Sequence, residues 1–173
     1  MTFANTLSAA RAFLVIPVIG LIALGDASLA LLVFLGAAAT DALDGPIARR
    51  RGATAFGAAL DPLADKVLVV GTLVALALRG TAPVWAVLLI VGRELIAVEV
   101  RARTPHAVGA STDGKAKTVL QVAAIAMLLA TAAWPAAGLA AAANALLVAA
   151  TALTVLSGVR LVLRAKQTTA DAA

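Results

Sequence analysis

Four aspartates fall between residues 40 and 65 of this chain, in the stretch TDALDGPIARRRGATAFGAALDPLAD, and their spacing sorts them into two pairs. Asp41 and Asp44 lie three apart and Asp61 and Asp65 four apart, so each pair shares one face of a helix. Counted from Gly52, the centre of the intervening turn, Asp44 is eight residues back and Asp61 nine forward. Asp41 is eleven back and Asp65 thirteen forward. An antiparallel hairpin would set the two pairs opposite each other, roughly 12–20 Å from the turn. Four uncompensated carboxylates at that depth in an apolar segment cost on the order of 10 kcal/mol, and like-charge repulsion adds to it. Arg49, Arg50 and Arg51 are too near the turn to reach all four, and Lys66 adjoins only one. A divalent cation is the simplest neutraliser, and an all-oxygen donor set suits Mg2+ or Mn2+. The alternative is a water-filled cavity or proton path lined by carboxylates. Gly45, Ala48 and Gly57 weigh against it, because small residues beside the acidic faces let a ligand or another helix approach closely. Pro46 removes one backbone hydrogen bond from the second helix and either opens a kink there or is tolerated without one.

The elements that must position these carboxylates are apolar. The chain is 62% hydrophobic and 13% charged, against about half and a quarter in soluble domains. Its apolar residues come in long runs rather than stripes, which predicts an integral membrane protein of one compact domain. The absence of Cys excludes disulfides and thiolate chemistry, and the single His106, read as a loop residue, argues against a histidine metal site or a Ser-His triad. Catalysis is left to carboxylates, Lys and Arg. The net charge of +5 lies at the ends of apolar runs. It therefore points to anionic headgroups or phosphorylated substrates and not to nucleic acid.

Gly, Pro and charge divide the sequence into six all-α spans, approximately 5–24, 29–50, 54–79, 82–103, 114–134 and 138–164. Each is long enough to cross about 30 Å of hydrocarbon. The first lacks a basic region ahead of its apolar run and is read as a retained helix, not a cleaved leader. Residues 1–166 form the membrane domain and 167–173 a short polar tail. Short connections such as GDAS and WPAAG predict that successive helices are antiparallel neighbours; the longest, TPHAVGASTDG, is a polar loop. Arg49 to Arg51, Arg101, Arg103, Lys115, Lys117, Arg160, Arg164 and Lys166 fall at one set of helix ends and only Arg79 at the other. The first set is assigned to the cytoplasm, with both termini on the cytoplasmic side of the cell membrane. Trp85 and Trp134 then fall at the outer ends, where an aromatic belt is expected. There is no convincing internal repeat to suggest a transporter.

The pattern Asp41-x2-Asp44-Gly45-x2-Ala48-Arg49-x7-Gly57-x3-Asp61-x3-Asp65 resembles the signature of the CDP-alcohol phosphatidyltransferases at every position. The resemblance implies six transmembrane helices around a cytoplasm-facing polar cavity, two divalent metals per active site, and a homodimer. It implies that Asp41, Asp44 and Asp61 bind metal, and that Asp65 acts as general base while touching the metal site. Gly45, Ala48, Arg49 and Gly57, with Asp41, would shape the CDP site. NTLSAAR is similar to an N-terminal segment of the family, with Ser8 in place of Thr, and adds Asn5 to the CDP-binding set.

LDPLADK, GRELIAVEVRARTP and GASTDGKAKTVLQVAAI resemble segments of the members that use glycerol 3-phosphate, the phosphatidylglycerophosphate synthases. The implied reaction transfers the phosphatidyl group of CDP-diacylglycerol to glycerol 3-phosphate and releases CMP. A phosphorylated acceptor needs cations, for which Arg93, Arg101, Lys115, Lys117 and Arg160 are the candidates. Arg93 lies well inside a span, and its neighbour Glu94 is expected not to satisfy it, since adjacent helix residues point apart. Arg101, Arg103 and Lys117 are equally explained as positive-inside anchors, and Glu99 with Arg103 as an i,i+4 pair. Cardiolipin synthases of the same fold, which use phosphatidylglycerol, are the runner-up. The non-enzymatic alternative is an ion or proton transporter; the nearly all-apolar outer halves of the helices argue against a through-path.

Overall fold

In a computed structural model the chain is described over residues 3–50, 55–103 and 112–171, with side chains described for 13–40, 66–100, 117–136 and 138–167. These residues form six helices and no strand: α1 (Phe3–Leu24), α2 (Ala27–Arg50), α3 (Ala55–Leu78), α4 (Val84–Arg103), α5 (Thr112–Ala133) and α6 (Ala137–Asp171). Each of the six expected spans corresponds to one helix. α2 runs unbroken through Pro46.

The helix ends follow from local chemistry. α1 and α3 both stop at a glycine with positive φ, Gly25 (88°) and Gly80 (72°). The amide after each glycine reaches back five residues: Asp26 N–H donates to the Leu21 carbonyl and Thr81 N–H to that of Leu76, both at 2.9 Å. With Gly25 and Gly80 donating to Ile22 and Ala77, both ends are Schellman motifs, for which a residue without a Cβ is best suited. Asp26 then caps α2, its Oδ1 accepting from Leu29 N–H at 3.0 Å. Arg79 reaches Gly25, which puts the α1–α2 and α3–α4 turns side by side at one end.

Inside, the core is a column of large apolar side chains: Val18, Phe34, Leu73, Ile90, Ile125 and Leu147, each fully buried. α1 lies along both α2 and α3, and α5 packs on α6 and α2. Gly71 lets α1 press against α3, since a Cβ there would sit 2.6 Å from Val15 Cγ2. The expectation that short connections make successive helices neighbours holds for α1–α2, α3–α4 and α5–α6 but not for α2–α3, joined by RRGA. Among the described residues α4 and α5 make no backbone contact, and α2 and α3 touch little. α5 crosses instead to α2 and α6, and α1 occupies the space along both α2 and α3.

Candidate functional site

The two aspartate pairs lie on the two helices that flank the 51–54 link: Asp41 and Asp44 on α2, Asp61 and Asp65 on α3. Five chain steps hold Arg50 and Ala55 within about 18 Å of each other. Asp44 is six residues before the end of α2 and Asp61 six residues after the start of α3, so both sit about 9 Å into their helices. The aspartate side chains lie outside the described residues. So do those of Asn5 on α1, Gly45, Ala48 and Arg49 on α2, Gly57 on α3, Arg101 on α4 and Lys115 on α5. Four carboxylates offer only oxygen donors, a chemistry that a hard divalent cation would fit.

Lys66, the residue after Asp65, belongs to a charge cluster. Lys66 on α3, Arg93 and Glu94 on α4 and Lys117 on α5 converge on the Glu94 carboxylate, which is 8% exposed. Lys117 Nζ donates to Oε1. Arg93 Nη1 donates to the same oxygen at 3.0 Å. Lys66 Nζ lies 3.3 Å from Oε2, close enough for a charge contact yet not aligned as a hydrogen bond, so Oε2 lacks a proper donor among the described residues. Arg93 Nη2 continues to Ser157 Oγ on α6 at 3.1 Å, while its Nε–H is buried without an acceptor. Four helices are thus tied at one point, across the gap where α4 and α5 do not pack.

The space for Arg93 comes from Gly158: a Cβ at that position would lie 2.7 Å from Arg93 Cγ. Further in, Gln121 Nε2 on α5 donates to Thr154 Oγ1 on α6 at 2.9 Å, and that hydroxyl donates to the Ala150 carbonyl at 2.6 Å. A buried polar seam therefore leads from the cluster between α5 and α6.

This geometry corrects one expectation and sharpens another. Glu94 does pair with Arg93, through Nη1 alone. Their Cβ atoms diverge, but Lys117 fixes the carboxylate and Gly158 lets the long guanidinium side chain turn along α6 to reach it. Lys117, weighed as a surface anchor, is 6% exposed and paired internally. Arg160 is exposed on α6, three residues beyond Ser157. The sequence reading did not assign Lys66, Glu94, Ser157 or Gly158 to the site. The available signal was Glu94 itself, a carboxylate in the apolar run IVGRELIAV that must find a partner.

Comparison with known proteins gives a coherent set of matches. The family model for CDP-alcohol phosphatidyltransferase matches residues 1–159. The chain is 40% identical over 136 residues to a probable phosphatidylglycerophosphate synthase of Mycobacterium tuberculosis, covering 77% of this chain and 64% of that protein. It is 41% identical over 102 residues to the CDP-diacylglycerol–glycerol-3-phosphate 3-phosphatidyltransferase of Bacillus subtilis, covering 57% and 53%. It is 40% identical over 119 residues to a CMP-forming cardiolipin synthase of Oryza sativa, covering 57% and 35%. The matched region thus spans less than two thirds of the length of these curated relatives.

Proposed function

The chain belongs to the CDP-alcohol phosphatidyltransferase family, and from that premise we propose that it transfers the phosphatidyl group of CDP-diacylglycerol to glycerol 3-phosphate, forming phosphatidylglycerophosphate and CMP. The reading is supported chiefly by two aspartate pairs at matched depth along α2 and α3, with Asp65 directly before Lys66 of a largely buried charge cluster. The relatives named for the glycerol 3-phosphate reaction support the acceptor.

Asp41, Asp44, Asp61 and Asp65 would hold two divalent ions, Mg2+ or Mn2+, which when bound supply charge neutralisation on the diphosphate and the departing CMP. Asp65 accepts the proton of the glycerol 3-phosphate hydroxyl as its oxygen attacks the phosphorus that carries diacylglycerol. A new P–O bond forms there while the bond to the CMP oxygen breaks. Asn5, Asp41, Gly45, Ala48, Arg49 and Gly57 line the CDP site. Arg93, Arg101, Lys115, Lys117 and Arg160 supply positive charge for the acceptor phosphate.

The six helices are read as membrane spans with both termini cytoplasmic, in a homodimer whose substrates reach the site from the bilayer and the cytosol. Support comes from α6, where Gly138–Gln167 has a mean hydropathy of 2.1 over its most apolar window, of which only 33% is buried. A core helix of a soluble protein would be mostly covered. Large apolar side chains also face outward on other helices, among them Phe13, Leu32, Leu88 and Leu95, each about two thirds exposed.

The test is CMP release from CDP-diacylglycerol by the purified protein with Mg2+, offering glycerol 3-phosphate, phosphatidylglycerol and inositol 1-phosphate in turn. Turnover with glycerol 3-phosphate is expected, lost on chelation and lowered about 10²–10⁴-fold by Asp65→Asn. An Asp65→Asn protein working at the wild-type rate would remove that residue from its role. Turnover with phosphatidylglycerol alone would move the chain to the second reading, a cardiolipin synthase, which the Oryza sativa relative keeps open.

A further inference from the structure

We infer, resting on the reading that the acceptor carries a phosphomonoester, that Glu94 is a positioning residue: it assembles Lys66, Arg93 and Lys117 into a receptor for the acceptor phosphate. Three observations carry this. The first is the sharing of one carboxylate by cations from α3, α4 and α5. Structural ion pairs inside a protein usually balance, because an uncompensated buried charge is costly. Here three cations surround one carboxylate, so the described side chains of the cluster sum to two positive charges. A phosphomonoester near neutral pH carries close to two negative charges, whereas the phosphodiester of a lipid headgroup carries one.

The second observation is the orphaned chemistry. Arg93 has a side chain 10% exposed and a buried Nε–H with no acceptor among the described residues. A planar guanidinium with a spare donor is suited to an oxyanion, which it can grip at more than one atom. The third is location. Lys66 follows Asp65 directly, so the cluster adjoins the carboxylates without entering the metal set, and it fills the gap that α4 and α5 leave between them. Long side chains spanning a gap can open to admit a ligand at far smaller cost than two packed helices can separate. Ser157 and Gly158 complete the device from α6, one fixing Nη2 and the other giving the Arg93 stem its channel.

The role assigned to Glu94 is geometric. It touches no substrate; it holds three long cationic side chains at one point, so that the incoming phosphate finds them already gathered. Shortening the side chain by one methylene keeps the charge and breaks the simultaneous reach. Adding a methyl at Gly158 leaves every charge in place and displaces Arg93.

Steady-state kinetics of Glu94→Asp and Gly158→Ala, with each substrate varied in turn, test the inference. The expected result is a KM for glycerol 3-phosphate raised about ten- to a hundredfold in both variants, with the KM for CDP-diacylglycerol within about twofold of wild type. Gly158→Ala keeps the test open should Glu94→Asp fail to fold. An unchanged glycerol 3-phosphate KM in the folded variants, beside a wild-type enzyme that uses this acceptor, would overturn the inference and leave the proposed reaction standing. Equal rises in both KM values would also overturn it, since a merely structural Glu94 predicts that. Should the wild type turn over no glycerol 3-phosphate, the proposed reaction fails. The receptor is then read directly, as a rise in unfolding temperature with inorganic phosphate that wild type shows and Glu94→Asp lacks. A rise of equal size in both would sink the receptor as well.

Discussion

A buried hydroxyl that donates and accepts at once makes the two ends of its hydrogen bonds unequal. Thr154 donates to the Ala150 carbonyl and accepts from Gln121 across the α5–α6 contact. Replacing Gln121 by Leu removes a donor, and the Thr154 hydroxyl keeps its bond to Ala150. The expected loss is about 0.5–1 kcal/mol. Thr154→Val instead strands the buried Gln121 amide and should cost about 1–3 kcal/mol. Unfolding of the two variants in detergent measures the difference, and a Gln121→Leu protein that is the less stable of the two would contradict this ordering. The same contrast explains what could be read at this scale. The four aspartates announce themselves through local spacing, three and four residues apart. Glu94 does not, because the partner that fixes it is 23 residues away, and Arg93 ends on a serine 64 residues away. Residue types and short intervals carry no information on such pairings until the helices are placed.

At the scale of the element, glycine decides how closely helices approach. Gly71 and Gly36 are both interior to helices, where Ala is the better helix former by about 1 kcal/mol. At Gly36 nothing lies within 4 Å of an added Cβ, so Gly36→Ala should stabilise the protein by up to that amount. At Gly71 the new methyl would meet Val15 Cγ2 at 2.6 Å and Ile19 Cδ1 at 3.5 Å. Val15 is buried and β-branched, with little rotamer freedom to yield. Gly71→Ala should therefore destabilise by about 1–3 kcal/mol despite its propensity gain. Opposite shifts in unfolding temperature for the two substitutions are the check; equal shifts would mean that α1 and α3 are not in close contact. The helices themselves were legible, since Gly, Pro and charge mark all six. Their partners were not. Connector length correctly joined α5 to α6, but it could not foresee that α1 lies along both α2 and α3, or that the 104–111 connection separates α4 from α5. Packing order is set by which faces fit, and an evenly apolar helix advertises no face.

For the molecule as a whole, the outward side chains bear on the surroundings. Leu88 on α4 and Leu163 on α6 are 67% and 55% exposed, and Trp85 and Trp134 are 51% and 59% exposed at the helix ends beside the α3–α4 and α5–α6 turns. Interfacial tryptophans and an apolar girdle are what a bilayer requires of a surface. The 30 residues from Gly138 to Gln167 would extend about 45 Å, more than the hydrocarbon thickness, so the two ends of this segment should lie on opposite sides of the membrane. A chain without cysteine makes the point measurable without background. Ala136→Cys, just before that segment, and Gln167→Cys, at its last residue, each place a single thiol at an exposed position. A membrane-impermeant maleimide applied to intact cells should label Ala136→Cys at once and Gln167→Cys only after the membrane is broken. The reverse pattern would invert the assigned orientation and carry the carboxylates to the face away from CTP-derived substrates. Labelling of both thiols in intact cells would mean that α6 does not cross the membrane. The exposed leucines would then mark a surface for a protein partner instead of lipid.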